Sequence, residues 1–404
     1  MVEVLPFDDG ETNKSYLVRY KNRYWKVSET VGNIVLELIN GKNIDSIKKS
    51  IKSEGNLKDE DIDHVINFLK KQGLIDGYDE PKNKGHRNKF LWGRLTILTP
   101  NIVNNFKILS HLFNRYLLYI FSILSVIWLI VIIFKNNAVE VAAEIQHLSI
   151  PNLVGCYSIM TFIGLFHELG HSSALMRFEE EPGRIGVGVY FIMPVFFSDV
   201  TNAWKLKRYQ RFIVDFGGMY FQLLTMLSLY ICNFFIKSSL LNLAVILSAL
   251  QILSNLNPFI KLDGYWMLCD ILGITNIKHI IIKLITNPFK RKTQKSMEVK
   301  QLHKYKKIII YVYLLMATMF LVYFGTIFIN SFIISLEVFS SDIMRIINGK
   351  IVMESIDVNN IIRYVSSRFT SFIVILFVLR MVVVFIKWLI NAIIRRNSNV
   401  NSIE

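Results

Sequence analysis

Cysteine is scarce in this 404-residue chain. Cys156, Cys232 and Cys269 are the only three, each lies in a mainly apolar stretch, and no two form a C-x-x-C pair. A disulfide framework and a cysteine zinc cluster are thereby excluded, and the three read as small buried residues. Acidic charge is scarce after residue 80. Residues 81–404 hold 34 Lys/Arg against 16 Asp/Glu, whereas residues 1–80 hold 12 against 15. The positive excess belongs to the apolar part, where Lys and Arg mark cytoplasmic loops, so no nucleic-acid partner is expected. The start, Met1 to Glu11, is acidic and lacks an apolar core. It is not read as a signal peptide.

Apolar residues are what the chain has in excess. They make up 52% of it, and the mean hydropathy is +0.38, too apolar for an ordinary soluble protein. Six segments are long enough to cross a bilayer: Tyr116–Phe134, Leu153–Met176, Phe212–Ile236, Leu240–Phe259, Ile308–Asn330 and Ser371–Ile394. Lys and Arg concentrate in alternate connections, including Arg177 to Arg211 and Lys278 to Lys307. That alternation places both termini in the cytoplasm and brings the ends of the second and fourth segments to the cytoplasmic side. Arg380 stands inside the sixth segment as an unexplained charge. The expected fold is mostly α, a polytopic membrane protein of about six transmembrane helices, preceded by a small α+β domain of winged-helix type.

That first domain occupies residues 1–80. Tyr16-Leu-Val-Arg-Tyr and Arg23-Tyr-Trp-Lys-Val alternate around Lys21-Asn22, which predicts a hairpin. Ser28 and Glu29 open a helix that Asn40-Gly41 ends, and further helices are expected over Ile44–Ser53 and Asp59–Gln72. Residues 81–115 read as a basic, aromatic juxtamembrane linker, and residues 116–396 as the membrane domain with its core at 153–270. Between the second and third segments, Ile185 to Thr201 is rich in β-formers and broken by Pro194. It reads as a hairpin or re-entrant segment beside the site, either able to hold an extended peptide or buried for packing alone.

The second segment carries the chemistry, in His167-Glu168-Leu169-Gly170-His171. Positions i and i+4 share a helix face, so His167 and His171 reach one metal ion together. Glu168 is a carboxylate in an apolar run, costly without a cation nearby, and suits the base that takes a proton from a zinc-bound water. Three protein ligands plus water is the usual catalytic zinc arrangement, so one donor is missing. Asp263, bracketed by Pro258 and Gly264 beyond the fourth segment, is the leading candidate, with Asp215 and Asp270 as weaker alternatives.

These paired motifs, His167 to His171 and Asn255…Asn257-Pro258…Leu262-Asp263-Gly264, resemble the site-2 protease family of intramembrane zinc metalloproteases. Asp199-Val-Thr-Asn-Ala-Trp204 and Asn257-Pro258…Asp263-Gly264-Tyr265 are similar to its peptide zinc metalloprotease branch. The resemblance covers roughly Leu153–Asp270. It departs from the family form with a second proline, where this chain has Ile260, and no PDZ-like insertion is evident. It implies a single Zn2+ held by His167, His171 and Asp263, with Glu168 as catalytic base and Asn255 bonding the substrate backbone.

The run Tyr16 to Ile75, with Trp25-Lys-Val-Ser-Glu, Asn40-Gly41 and Gly73-Leu74-Ile75, resembles the PqqD-type module that recognises leader peptides of ribosomally made, modified peptides. The plain alternative is a structural appendage. Together the two resemblances imply a bacterial, multi-pass cell-membrane enzyme, embedded in the lipid bilayer and maturing a bacteriocin-like precursor peptide. Cleavage of a membrane-anchored transcriptional regulator is the second expectation. A peptide immunity or transport protein that binds without cutting is the third, and the intact set of metal donors argues against it.

Overall fold

The computed structural model describes residues 2–8, 14–20, 23–43, 46–47, 67, 69, 91–136, 141, 150–190, 193–256, 262–274, 277–286 and 303–347. Among the described residues the chain is mostly helical, with two small sheets. It divides into two compact units. One is formed by Met1–Leu124, Ile163–Thr225 and Asn255–Leu314, the other by Ser125–Phe162, Met226–Ser254 and Leu315–Glu404.

The first unit begins with an antiparallel sheet of β1 (Val2–Phe7), β2 (Ser15–Tyr20) and β3 (Arg23–Ser28), in that order. Strands β2 and β3 form the hairpin across Lys21-Asn22, with Tyr20 opposite Arg23. The start of the chain, for which the sequence pattern predicts no element, is β1, where apolar residues dominate and Val4 pairs with Val18. Helix α1 (Glu29–Ile39) follows directly, and the Ser28 hydroxyl accepts from the Val31 amide at 3.5 Å. Gly41, at φ +81°, takes the left-handed turn beyond its end. Val18, Ile34 and Val35 form a buried cluster with Ile47 and Leu69. The helices expected over Ile44–Ser53 and Asp59–Gln72 lie largely outside the described residues.

The second sheet joins distant parts of the chain. Strand β4 (Leu91–Leu98) pairs antiparallel with β5 (Ile185–Tyr190), which pairs in turn with β6 (Met193–Ser198). Part of the expected linker is therefore a strand. Its Leu-Trp-Gly-Arg-Leu-Thr-Ile-Leu stretch has the apolar, β-forming character to sit on a hairpin, and Pro100 opens a short helix, α2 (Pro100–Asn104), beyond it. The segment from Ile185 to Ser198 is a β-hairpin, with Tyr190 opposite Met193.

The long helices are α3 (Arg115–Lys135), α4 (Ile150–Arg177), α5 (Arg208–Ile236), α6 (Ser239–Ser254) and α9 (Lys304–Ile347). The shorter α7 (Asp263–Leu272) and α8 (Ile277–Thr286) lie between α6 and α9. Among the described residues, two of these, α3 and α5, are long and apolar enough to cross a membrane. That is fewer than the six expected segments. The second segment falls within α4 and the fifth within α9, the fourth begins in the short apolar α6 and ends outside the described residues, and Ser371–Ile394 with Arg380 lies outside them altogether. Helix α3 turns Tyr116, Ile120, Ile123, Ile127 and Phe134 outward, Phe134 at 83% exposure. A continuous outward apolar face of this kind suits lipid better than water.

Helices α4 and α5 meet where neither has a side chain in the way. A Cβ on Gly170 would overlap the Gly217 carbonyl, and one on Gly217 would come within 3.0 Å of Ala174. Small residues on both sides let the two backbones touch. Around this crossing, Phe113, Leu175, Val214, Tyr220 and Phe221 form a buried core. Phe221 stacks on Phe166 at 4.8 Å between ring centroids, one residue before His167. In the second unit, Trp128 lies against Tyr230 at 4.5 Å, and the Tyr323 hydroxyl donates to the Asn136 carbonyl at 3.1 Å.

Candidate metal centre

Helix α4 presents His167 and His171 on one face, four residues apart, with their rings nearly perpendicular at 81°. The two Nε2 atoms approach to 3.2 Å. Asp263, the first residue of α7, brings one carboxylate oxygen to 2.9 Å from His167 Nε2 and the other to 3.5 Å from His171 Nε2. Its position is set locally. The Gly264 amide donates to the Asn255 carbonyl at 3.1 Å, and a Cβ on Gly264 would lie 2.5 Å from that oxygen. Behind it, buried Tyr265 anchors α7 in a cluster with Leu268, Cys269, Leu272 and Ile281. The carboxylate also sits at a helix N-terminus, where negative charge is favoured.

The far nitrogens of both imidazoles are occupied. His171 Nδ1 lies 2.8 Å from the Val214 carbonyl, and His167 Nδ1 lies 3.2 Å from the Gln222 side-chain oxygen. Both acceptors are oxygens, so both Nδ1 atoms carry the proton and both Nε2 atoms offer lone pairs. Two lone pairs and a carboxylate facing each other repel unless a cation sits among them. Tetrahedral ligands at ~2.0–2.2 Å from zinc are separated from one another by roughly 3.4 Å. The spacings of 2.9, 3.2 and 3.5 Å bracket that value. The donor set therefore fits one ion, and it is the group among the described residues that could hold one.

A cavity of about 440 Å³ opens beside this group. Glu168, His171, Asp263, Asp215 and Asp270 line it, together with Phe196, Phe197 and Ser198 of β6 and the aromatic rings of Trp204 and Trp266. Phe196 packs on α4 at Gly164, where a Cβ would come within 2.9 Å of its ring, and this sets β6 one turn before the histidines. Strand β6 is an edge of its sheet among the described residues. Asp199, at the end of β6, accepts from both the amide and the hydroxyl of Thr201.

The sequence-derived residues thus divide. His167, His171 and Asp263 converge, and Glu168 lines the adjoining cavity. Asp215 and Asp270, the alternative third donors, line the same cavity outside the donor group. Asp270 is held instead by Arg211 at 3.0 Å. The Asn255 backbone carbonyl accepts from the Gly264 amide at the start of α7. Sequence reasoning missed Val214, Gly218 and Gln222, three positions at four-residue spacing on α5 that face the histidine pair. The available signals were the glycine pair Gly217-Gly218 and a glutamine in a largely apolar span.

A stretch of 124 residues, 30% of the chain, is 28% identical to a Bacillus subtilis (strain 168) protein named "Putative peptide zinc metalloprotease protein YydH". The match takes in 48% of that protein, so the chain spans about half the length of the curated relative it matches. No protein-family model matches the chain, and no solved structure does. The likeness suggests a zinc metalloprotease, and a donor set of two imidazoles and a carboxylate is the kind that zinc takes.

Proposed function

We propose that the chain is an intramembrane zinc metallopeptidase that hydrolyses a peptide bond in a membrane-associated peptide. The observation that carries this reading is the convergence of His167, His171 and Asp263 with both Nδ1 protons already committed to oxygen acceptors, beside a cavity that Glu168 lines. Bound zinc supplies a Lewis acid and a water that ionises near neutral pH. Glu168 takes the proton of the attacking water and delivers it to the leaving amine. Strand β6 offers the substrate an edge on which to lie extended, since helical backbone shields its own carbonyls. Asn255 bonds the substrate backbone near the scissile bond.

The substrate is proposed to be a ribosomally made, modified precursor peptide whose leader binds residues 1–80. The docking of that domain supports this reading. Phe7 lies 6.0 Å from Trp204, which lines the cavity, and the Tyr24 hydroxyl donates to Asn202 at 3.2 Å. A peptide held on the first sheet starts close to the cavity mouth. The test is Glu168→Gln in the purified full chain, reconstituted with candidate precursor peptides and read by mass spectrometry. The variant keeps its zinc and loses cleavage by a factor of about 10²–10⁴. Undiminished cleavage rejects the reading.

A further inference from the structure

Gln222 is buried in α5 at 1% exposure, and its side-chain oxygen is the acceptor at His167 Nδ1. Its Nε2 has no hydrogen-bond partner among the described residues. A buried amide with an orphan donor carries a cost, and what its oxygen does in return is to satisfy the His167 Nδ1 proton. The other histidine is supported differently, by the Val214 backbone carbonyl, which no substitution removes. Between these two supports lies Gly218, whose missing side chain makes room for both Nε2 atoms. Val214, Gly218 and Gln222 thus present a carbonyl, a gap and an amide oxygen at i, i+4 and i+8. They face two histidines at i and i+4 on the neighbouring helix.

We infer that Gln222 is a positioning residue that sets the metal affinity of this centre by fixing the tautomer and ring orientation of His167. The amide oxygen holds the proton on Nδ1, which leaves the Nε2 lone pair for the ion. Were the ring free to turn or to change tautomer, that lone pair would be lost for part of the time. Losing a partner of this kind typically weakens metal binding about 10–100-fold. The inference rests on the zinc reading above, and its test separates the two.

Purified full-length protein is stripped of metal and titrated with zinc against a chromophoric chelator, with Co²⁺ absorption as a second readout. Wild type, Gln222→Leu, Gln222→Met and Gln222→Glu are compared, and the thermal midpoint of each metal-free form is measured. Leu and Met are expected to weaken zinc binding by about 10–100-fold and to alter the Co²⁺ spectrum. The metal-free midpoint is expected to stay about level, because the orphan amide donor is exchanged for an unpaired His167 Nδ1. Glu retains an acceptor oxygen and is expected to bind zinc within threefold of wild type. Leu or Met variants that bind zinc as wild type does overturn the inference and leave the zinc reading standing. Leu and Met variants with a lowered metal-free midpoint and unchanged affinity show a merely structural glutamine. A wild-type protein that binds no zinc overturns both.

Discussion

Gly218 lies directly beneath His171, and a Cβ built on it would overlap the Nε2 atoms of both His171 and His167. The metal donors are thus shaped by the helix opposite as well as by their own. Gly218→Ala should improve the local helix propensity by about 1 kcal/mol, yet force the two rings apart. The expected result is a folded protein whose zinc content falls to near zero, measured by elemental analysis after dialysis. A Gly218→Ala protein with a full complement of zinc would show that the rings can shift without cost.

Arg211 joins three parts of the first unit. It is 7% exposed, bonds Asp270 at 3.0 Å, the Leu206 carbonyl at 2.9 Å and the Asp8 carbonyl at 2.9 Å, and lies 4.7 Å over the Phe7 ring. Removing one member of a buried ion pair strands the other, at a cost of about 3–5 kcal/mol. Arg211→Ala should therefore lower the unfolding midpoint and make the segment after Phe7 sensitive to protease. Arg211→Met with Asp270→Leu should recover most of the loss, because no charge is left alone. If the double variant is no more stable than the single, the ion pair is not the source of the effect.

Asn255 contributes its backbone carbonyl to the Gly264 turn, and alanine keeps that carbonyl. Asn255→Ala should leave zinc content unchanged while lowering kcat/KM about tenfold, the worth of one well-placed hydrogen bond to substrate. Loss of zinc in this variant would assign Asn255 to the placement of Asp263 rather than to the substrate.

Short-range features were legible in the residues themselves. The spacing of His167 and His171, the alternation on either side of Lys21-Asn22, the Ser28 start and Gly41 end of α1, and the β-rich stretch from Ile185 are all local patterns. Each corresponds to a described element. What could not be read depends on contacts between residues far apart in the chain. Leu91–Leu98 looks like a basic, aromatic connection until Ile185–Tyr190 supplies the strand it pairs with. Arg211 belongs to a run of basic residues between the second and third apolar segments, and only the fold shows it enclosed by Asp270, Leu206 and Asp8. Gln222 acquires its meaning from the crossing of α4 and α5 at Gly170 and Gly217, which no single helix encodes. The first strand is six residues long, and its partner begins only at Ser15. Nothing within it separates an edge strand from an irregular start.

The central claim is that His167, His171 and Asp263 hold one zinc ion. It is tested most directly by counting zinc in the full-length protein, purified in detergent from zinc-supplemented culture, beside Asp263→Ala. The account predicts about one zinc per wild-type chain, removable by a chelator and restored by added zinc, and a variant that retains almost none. Wild-type protein without zinc, or an Asp263→Ala protein that binds it as tightly as wild type, would contradict it.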